Sequence, residues 1–419
     1  MTRADAVASD RLAAARERFA PIFASIAERA PEHERAGTRP YDEVRELAAA
    51  GFGALRVPVE FGGSGLGIDE FFAILVDLGA ADSNQPQLWR NHIAFVEDRI
   101  AGAALAATAA DNGAASTDGA DRDRRWLERI GAGAVIGGAW SETGSAGILG
   151  DTRIERVDGT FRVNGVKYYS TGSIFADHVG VLAIGESGEP VIALVPRDAE
   201  GLELVDDWSG FGQRATGSGT TRLRDVAVAD EDVIPFEQRF VGQEAVYQLV
   251  LVSALAGIAR AVRDDTVAAV TSRARTYPHA NAPVARDDVQ LKQVVGRIAA
   301  YAASAEASAE RAARVLVAAV AAPDDKEPSR RAAVAVYEAQ IVAADAALEA
   351  STLLFDALGS SGVQRSAQLD RHWRNARTVV SHNPRVYKER VLGDHYLNGF
   401  DALNIYAVPE PDAEGGAEG

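Results

Sequence analysis

The sequence predicts an α+β chain built in three blocks, helical, then β, then helical again, and three observations carry that reading. Apolar residues recur at helical spacing over roughly the first 110 residues, and again from about residue 238 onwards. Between those stretches, from about Gly131 to Glu237, Asp-Gly and Asn-Gly pairs punctuate short β-prone runs. The chain has 419 residues, 47% of them hydrophobic, enough for a sizeable core and two or three structural units. The blocks are drawn at residues 1–130, 131–237 and 238–405, the last a helical bundle. An acidic, glycine-rich tail at 406–419 is expected to be disordered.

The first helix is read in "SDRLAAARERFAPIFASIAERAPEHE", with Ser9 or Asp10 as its cap. Pro40 opens a short second helix, "YDEVRELAAAGF", which Gly51 ends. "RVPVEFGGSGLG" is a glycine-rich connection, after which helical spacing resumes in "IDEFFAILVDLGAADS" and from Asn91 to Ala110. In the middle block, "TRIERVDGTFRVNGVKYYSTG" carries Asp158-Gly159 and Asn164-Gly165 as turns between strands. "HVGVLAIGESGEPVIALVP" repeats the strand–turn–strand pattern, and "TTRLRDVAVADEDVIP" closes the block. Helical period returns at "EQRFVGQEAVYQLVLVSALAGIARAV". Two further long helices, about Asp287 to Ala321 and Ser329 to Ala357, carry small apolar faces suited to close packing. "SAQLDRHWRNARTVV" is the last helix predicted.

Composition removes several function classes. The chain carries 60 acidic against 43 basic residues, a formal net charge of −17, which argues against nucleic-acid binding. It has no cysteine, which excludes thiol nucleophiles, disulfides and thiolate metal sites. No HExxH, histidine cluster or calcium loop points to a metal. The apolar run from Tyr247 to Ile258 is too short to span a membrane, and the N-terminus lacks a secretory pattern, so a cytoplasmic, membrane-free protein is expected. "GGSGLG" lacks the βαβ surroundings of a dinucleotide fingerprint.

Three segments, "PVEFGGSGLG", "GAWSETGSAG" and "VNGVKYYSTGSIFAD", occur in an order and at a separation that resemble the acyl-CoA dehydrogenase superfamily, with its N-terminal helical domain, central β-domain and C-terminal four-helix bundle. The likeness covers roughly Asp10 to Val408. Such dehydrogenases carry a glutamate base in an aromatic-Glu-Gly-Thr segment near the chain end. Here that region reads "TVVSHNPRVYKERVLG", and Glu389 stands in a different context. With "SRARTYPHANAPVARDD" and "DRHWRNART", the chain more closely resembles the flavin-dependent monooxygenase branch that contains the dibenzothiophene monooxygenases.

That resemblance implies reduced FMN (FMNH2) as cosubstrate, dioxygen activation through a C4a-hydroperoxyflavin, and a small organosulfur, amine or aromatic substrate. It further implies a separate NADH-dependent flavin reductase and a homotetramer. An acyl-CoA dehydrogenase with bound FAD, and a non-catalytic flavin- or acyl-ligand-binding protein, stay open as alternatives. By resemblance, Trp140, Ser141, Glu142 and Ser145, with Tyr169 and Thr171, contact the flavin ring. Arg275, with Arg371 and Asn375, takes the phosphate, which suits paired guanidinium donors. His92, His382 and Thr171 are expected at the reactive edge as catalytic groups, since imidazole can donate or accept a proton. Each has a plainer reading. Trp140 could fill core space, residues 161–172 could be a structural hairpin, the arginines could form ion pairs, and the histidines could be hydrogen-bonded core residues.

Overall fold

In the computed structural model the described residues are 3–112, 118–143, 150–274 and 276–404. Ser145, Arg275 and the tail at 406–419 lie outside them. The N-terminal block comprises helices α1 (Arg3–Ala36), α2 (Tyr41–Ala49), α3 (Ile68–Ala81), α4 (Gln85–Asp111) and α5 (Asp118–Gly131). α1 continues through Pro21 and Pro31 and starts before Ser9 and Asp10, so neither is its cap. α4 starts six residues ahead of the expected Asn91, with Pro86 in its first turn, where a missing N–H leaves no intrahelical bond unmade. α5 is an addition to the expected elements. Its buried stripe is narrow, mainly Trp126, Leu127 and Ile130 in a run otherwise dominated by charge.

The middle block is a mixed sheet: β1 (Ile136–Ala139), β2 (Arg153–Val157), β3 (Thr160–Lys167), β4 (His178–Ile184), β5 (Pro190–Pro196), β6 (Leu202–Val205), β7 (Thr220–Val228) and β8 (Val233–Pro235). The spatial order is β6-β7-β3-β2-β4-β5-β8, with β1 parallel to β4 off that path. Asp158 and Gly159 take φ values of 50° and 82° and turn β2 into β3, as the left-handed pair of a tight hairpin must. Asn164-Gly165 is not a turn. It lies within β3, where the register against β7 shifts between Val163 and Gly165, a bulge. One sheet face packs Val163, Val179, Val181, Val191, Val195 and Val226 into a core of its own.

The C-terminal block comprises α6 (Gln243–Ser272), α7 (Val289–Ala321), α8 (Lys326–Leu358), α9 (Asp370–His382) and α10 (Arg385–Asn398). Asp288 and Asp325 cap α7 and α8 by accepting from Gln290 N–H (2.8 Å) and Glu327 N–H (2.9 Å). Alanines 302, 305, 309 and 312 of α7 and 343, 346, 347 and 350 of α8 are buried, letting the two helices approach closely. α6 is long and apolar enough to cross a membrane by composition, yet 89% of its apolar window is buried against other parts of the chain. It is the core helix, flanked by α3, α4, α7 and α8. α10 was not predicted; Asn383-Pro384 ends α9 and starts it afresh.

Candidate active site

Three consecutive residues of α4 reach three different parts of the chain. Arg90 donates from Nη1 to His382 Nε2 (2.8 Å) in the last turn of α9. Asn91 donates from Nδ2 to the carbonyl of Thr171 (3.2 Å). His92 accepts the Ile136 N–H of β1 at Nδ1 (3.1 Å) and gives its Nε2–H to Gly53 O (2.9 Å). The backbone around α4 is stripped down for this approach. A Cβ on Gly138 would sit 2.6 Å from Asn91 Cγ, and one on Gly172, whose φ is 79°, would sit 2.1 Å from Leu88 O.

The segment around Thr171 is joined to the loop after β1 by Tyr168 N–H donating to Ser141 O (2.8 Å). The Thr171 hydroxyl is 2.7 Å from Ser218 Oγ, which is 2.7 Å from Thr216 Oγ1, which donates to Gln213 O (2.8 Å). The carbonyl can only accept, so each hydroxyl passes its hydrogen along the chain in that direction. Thr171 therefore gives its hydrogen to Ser218, with Tyr169 O at 3.3 Å as a weaker second acceptor, and keeps its own lone pairs as acceptors for a ligand N–H. Beside it, Ser170 Oγ is buried without a partner among the described residues. The loop itself is pinned by Glu142, whose carboxylate accepts from Asp151 N–H (2.6 Å), Thr152 N–H (3.0 Å), Thr152 Oγ1 (2.7 Å) and Lys167 Nζ (2.6 Å).

Between α4, β1, β4 and the start of α6 lies a cleft lined by Asn91, Phe95, Asp98, Trp140, Gln243 and Tyr247, among others. Its open volume is about 10 Å³, the room of about one water molecule, so a larger guest requires a ring to swing aside. Trp140 packs edge-on against Tyr247 at 5.8 Å between centroids. Arg90 lies over the Tyr247 ring at 4.8 Å and Arg239 over Trp140 at 5.7 Å. Asp98 accepts from Phe240 N–H (2.8 Å) and from Gln243 Nε2, fixing the approach to α6.

Burial pushes the Asp98 carboxyl up to about 7, against the pull of Arg99, the Phe240 N–H and Arg239. Below the ordinary value of 3.8 both folded and unfolded chains hold this proton. From there to about 7 only the folded chain keeps it, so the ionised form weighs against folding progressively as pH rises, by at most about 1.4 kcal/mol per pH unit. Asp98→Asn is expected to abolish that slope. Its stability relative to wild type should rise from pH 4 to 7 in denaturant titrations at stepped pH, and a constant difference would refute the assignment.

The structure brings only part of the predicted set together. Trp140, Thr171 and His382 lie around the α4 turn. Both ring nitrogens of His92 are committed to backbone groups, the hydrogen-bonded core arrangement, and burial pushes it down to about 4. The Glu142 carboxylate is likewise consumed in its own loop, leaving only its backbone for a ligand. Ser141 is exposed, and its carbonyl is taken by Tyr168. Tyr169 is 55% exposed with φ 57°, and its ring packs against Trp208. Arg371 is paired with Asp265 (2.9 Å). Asn375 accepts from Gln213 N–H and donates to Glu34 and Ser83, so neither has a free fork or amide for a phosphate. Crowding and the Arg90 guanidinium both push His382 below the usual histidine range, although its exposure to solvent moderates the effect. Sequence reasoning missed Arg90, Asp98, Gln243 and Tyr247. None stands in a recognisable motif, and only the packing of α4 on α6 unites them.

Family models for the acyl-CoA dehydrogenase N-terminal and C-terminal domains match residues 12–105 and 249–384, together more than half of the chain. A dibenzothiophene monooxygenase of Mycolicibacterium goodii is 27% identical over 387 residues, covering 88% of this chain and 89% of that protein. A probable FMNH2-dependent monooxygenase, SfnC, of Pseudomonas putida is 26% identical over 92% of this chain and 94% of its own length. Among solved structures, TdsC of a Paenibacillus species, in complex with FMN and indole, superposes with a TM-score of 0.81 at 25% identity, covering 92% of this chain and 97% of that one.

Proposed function

This chain belongs to the acyl-CoA dehydrogenase superfamily, on the flavin-monooxygenase side of it, and from that premise we propose that it oxygenates a small organosulfur, amine or aromatic substrate with reduced FMN and dioxygen. One observation carries the reading: a single turn of α4 ties the Thr171 segment and His382 together beside an aromatic cleft that, among the described residues, offers no free carboxylate. A dehydrogenase needs such a base. Glu389 is exposed beside Arg385 (3.9 Å), and Asp98 is engaged by the start of α6.

The residues present fit the ring of a flavin. Thr171 offers an acceptor, which suits the additional N–H that a reduced flavin ring carries, and the buried Ser170 hydroxyl has no other partner among the described residues. The loop from Trp140 to Glu142 closes the same region, anchored by Lys167. When bound, the flavin supplies the electrons that activate dioxygen. The chain's own contribution is to hold the ring against these groups, to orient the substrate between Trp140 and Tyr247, to keep water out of the cleft, and to place one imidazole nitrogen of His382 at its edge. Arg275 is retained as the phosphate-binding residue. The proposal extends to a separate flavin reductase as the electron source, and to a homotetramer in the cytoplasm that engages neither nucleic acid nor membrane.

The test is turnover with photoreduced FMN under ¹⁸O₂ and a panel of organic sulfides, indoles, phenols and amines. One ¹⁸O atom per product molecule, read by mass spectrometry, is expected. Reduction of bound FAD by an acyl-CoA, with no labelled product from the panel, would overturn the reading in favour of a dehydrogenase.

A further inference from the structure

We propose that Arg90 is a positioning residue that fixes His382 as the neutral Nδ1–H tautomer, so that at the proposed oxygenation site His382 is a hydrogen-bond donor and not a base. A guanidinium has donors only, so at 2.8 Å the Nε2 of His382 must supply its lone pair to Arg90. The ring proton is then on Nδ1. His92 is locked the other way round. The Ile136 N–H can only donate, which puts the His92 lone pair on Nδ1 and its proton on Nε2, facing Gly53 O. The two histidines of the site therefore hold opposite tautomers. Among the described residues only His382 of the two has a nitrogen left over, and that nitrogen carries hydrogen.

Arg90 is itself braced by the Tyr247 ring of α6, so the contact is a built one joining α4, α6 and α9. On α10, Arg385 is turned to Asp345 of α8, with Glu389 at 3.9 Å. Adding a proton at Nε2 would require the guanidinium to withdraw, so protonation of His382 is suppressed while the pair lasts. A role as base during turnover would require that same withdrawal.

The tautomer assignment stands on geometry alone, while its consequence for oxygenation rests on the monooxygenase reading. The two are tested separately, because nitrogen shifts need no flavin. Histidine-selective ¹⁵N labelling of the full chain, with His382 assigned by loss of its signals in His382→Gln, is expected to show a protonated Nδ1 and a bare Nε2. His92 should show the reverse and serves as the internal report on folding. In Arg90→Met, with the His92 pattern intact, His382 should redistribute between tautomers and its titration midpoint should rise by at least one pH unit, a tenfold change in proton affinity. Arg90→Lys, which keeps a cationic donor, should preserve the wild-type pattern. A protonated Nε2 in the wild type would overturn the proposal, as would an unchanged His382 pattern and midpoint in a folded Arg90→Met. If Arg90→Met does not fold, the wild-type pattern alone decides.

Discussion

Glu142→Ala is expected to cost about 3–5 kcal/mol of folding stability, the range for breaking one side of a buried ion pair. Lys167 is 0% exposed, and Glu142 is its partner at 2.6 Å. Removing the carboxylate leaves a buried ammonium whose other acceptor is Trp140 O at 3.3 Å, and strips Asp151 and Thr152 of theirs. The two ends of the pair respond unequally. Burial pulls the Lys167 ammonium below the lysine range despite Glu142. Burial likewise acts to raise Glu142, but the Asp151 N–H, Lys167 and Thr152 overcome it and bring the carboxyl down to about 2. The carboxylate gains more because it has four donors where the ammonium has one anion. A carboxyl depressed in the folded state contributes stability above its unfolded value, near 4.5, and loses it as pH falls towards 2. Hence the stability gap between wild type and Glu142→Ala should be widest near neutrality and shrink below about pH 4.5. Denaturant midpoints at pH 7 and pH 3 check both statements. A loss below about 1 kcal/mol, or a gap indifferent to pH, would show that the loop is not held by this pair.

That network also shows what the sequence makes legible. Glu142 stands out in "GAWSETGSAG" by resemblance, and a resemblance can say that a segment lies near a cofactor. It cannot say whether a given carboxylate faces the ligand or its own backbone. That depends on Lys167, 25 residues on, being buried at the end of β3. The block order was legible because period and turn chemistry are local. Asp158-Gly159 behaved as its type predicts, whereas Asn164-Gly165, with the same credentials, was absorbed into β3 by pairing with β7. α10 was missed because Asn383-Pro384 reads as an end, and a proline that ends one helix can equally open the next. Arg371 and Asn375 have the chemistry of phosphate ligands. Asp265, Glu34, Ser83 and Gln213 claim them first, and no spacing rule announces those partners. Likewise Arg90 and His382 are 292 residues apart and meet only because α9 ends beside α4.

The sharpest chemical expectation concerns His382 and separates donor from base. If a fixed Nδ1–H supports the oxygenation step, His382→Leu should lower product formation about 10²-fold, the loss typical of one preorganised donor, with the oxygen consumed appearing as hydrogen peroxide instead. Affinity for reduced FMN should change little, since the proposed function places the ring against Thr171, Ser170 and the loop at Trp140 and not against His382. His382→Asn is the discriminating variant. Its amide can present an N–H near the position of Nδ1 while its oxygen accepts from Arg90, so it keeps the donor and cannot take up a proton. A donor role predicts that Asn retains at least about tenfold more coupled turnover than Leu, whereas a base role predicts that both fail alike. A rate profile that is flat between pH 5.5 and 8 in the wild type would agree with the first. A single limb with a midpoint near the ordinary histidine value of 6.5, lost in both variants, would require the Arg90 contact to open during turnover and would return His382 to the bases.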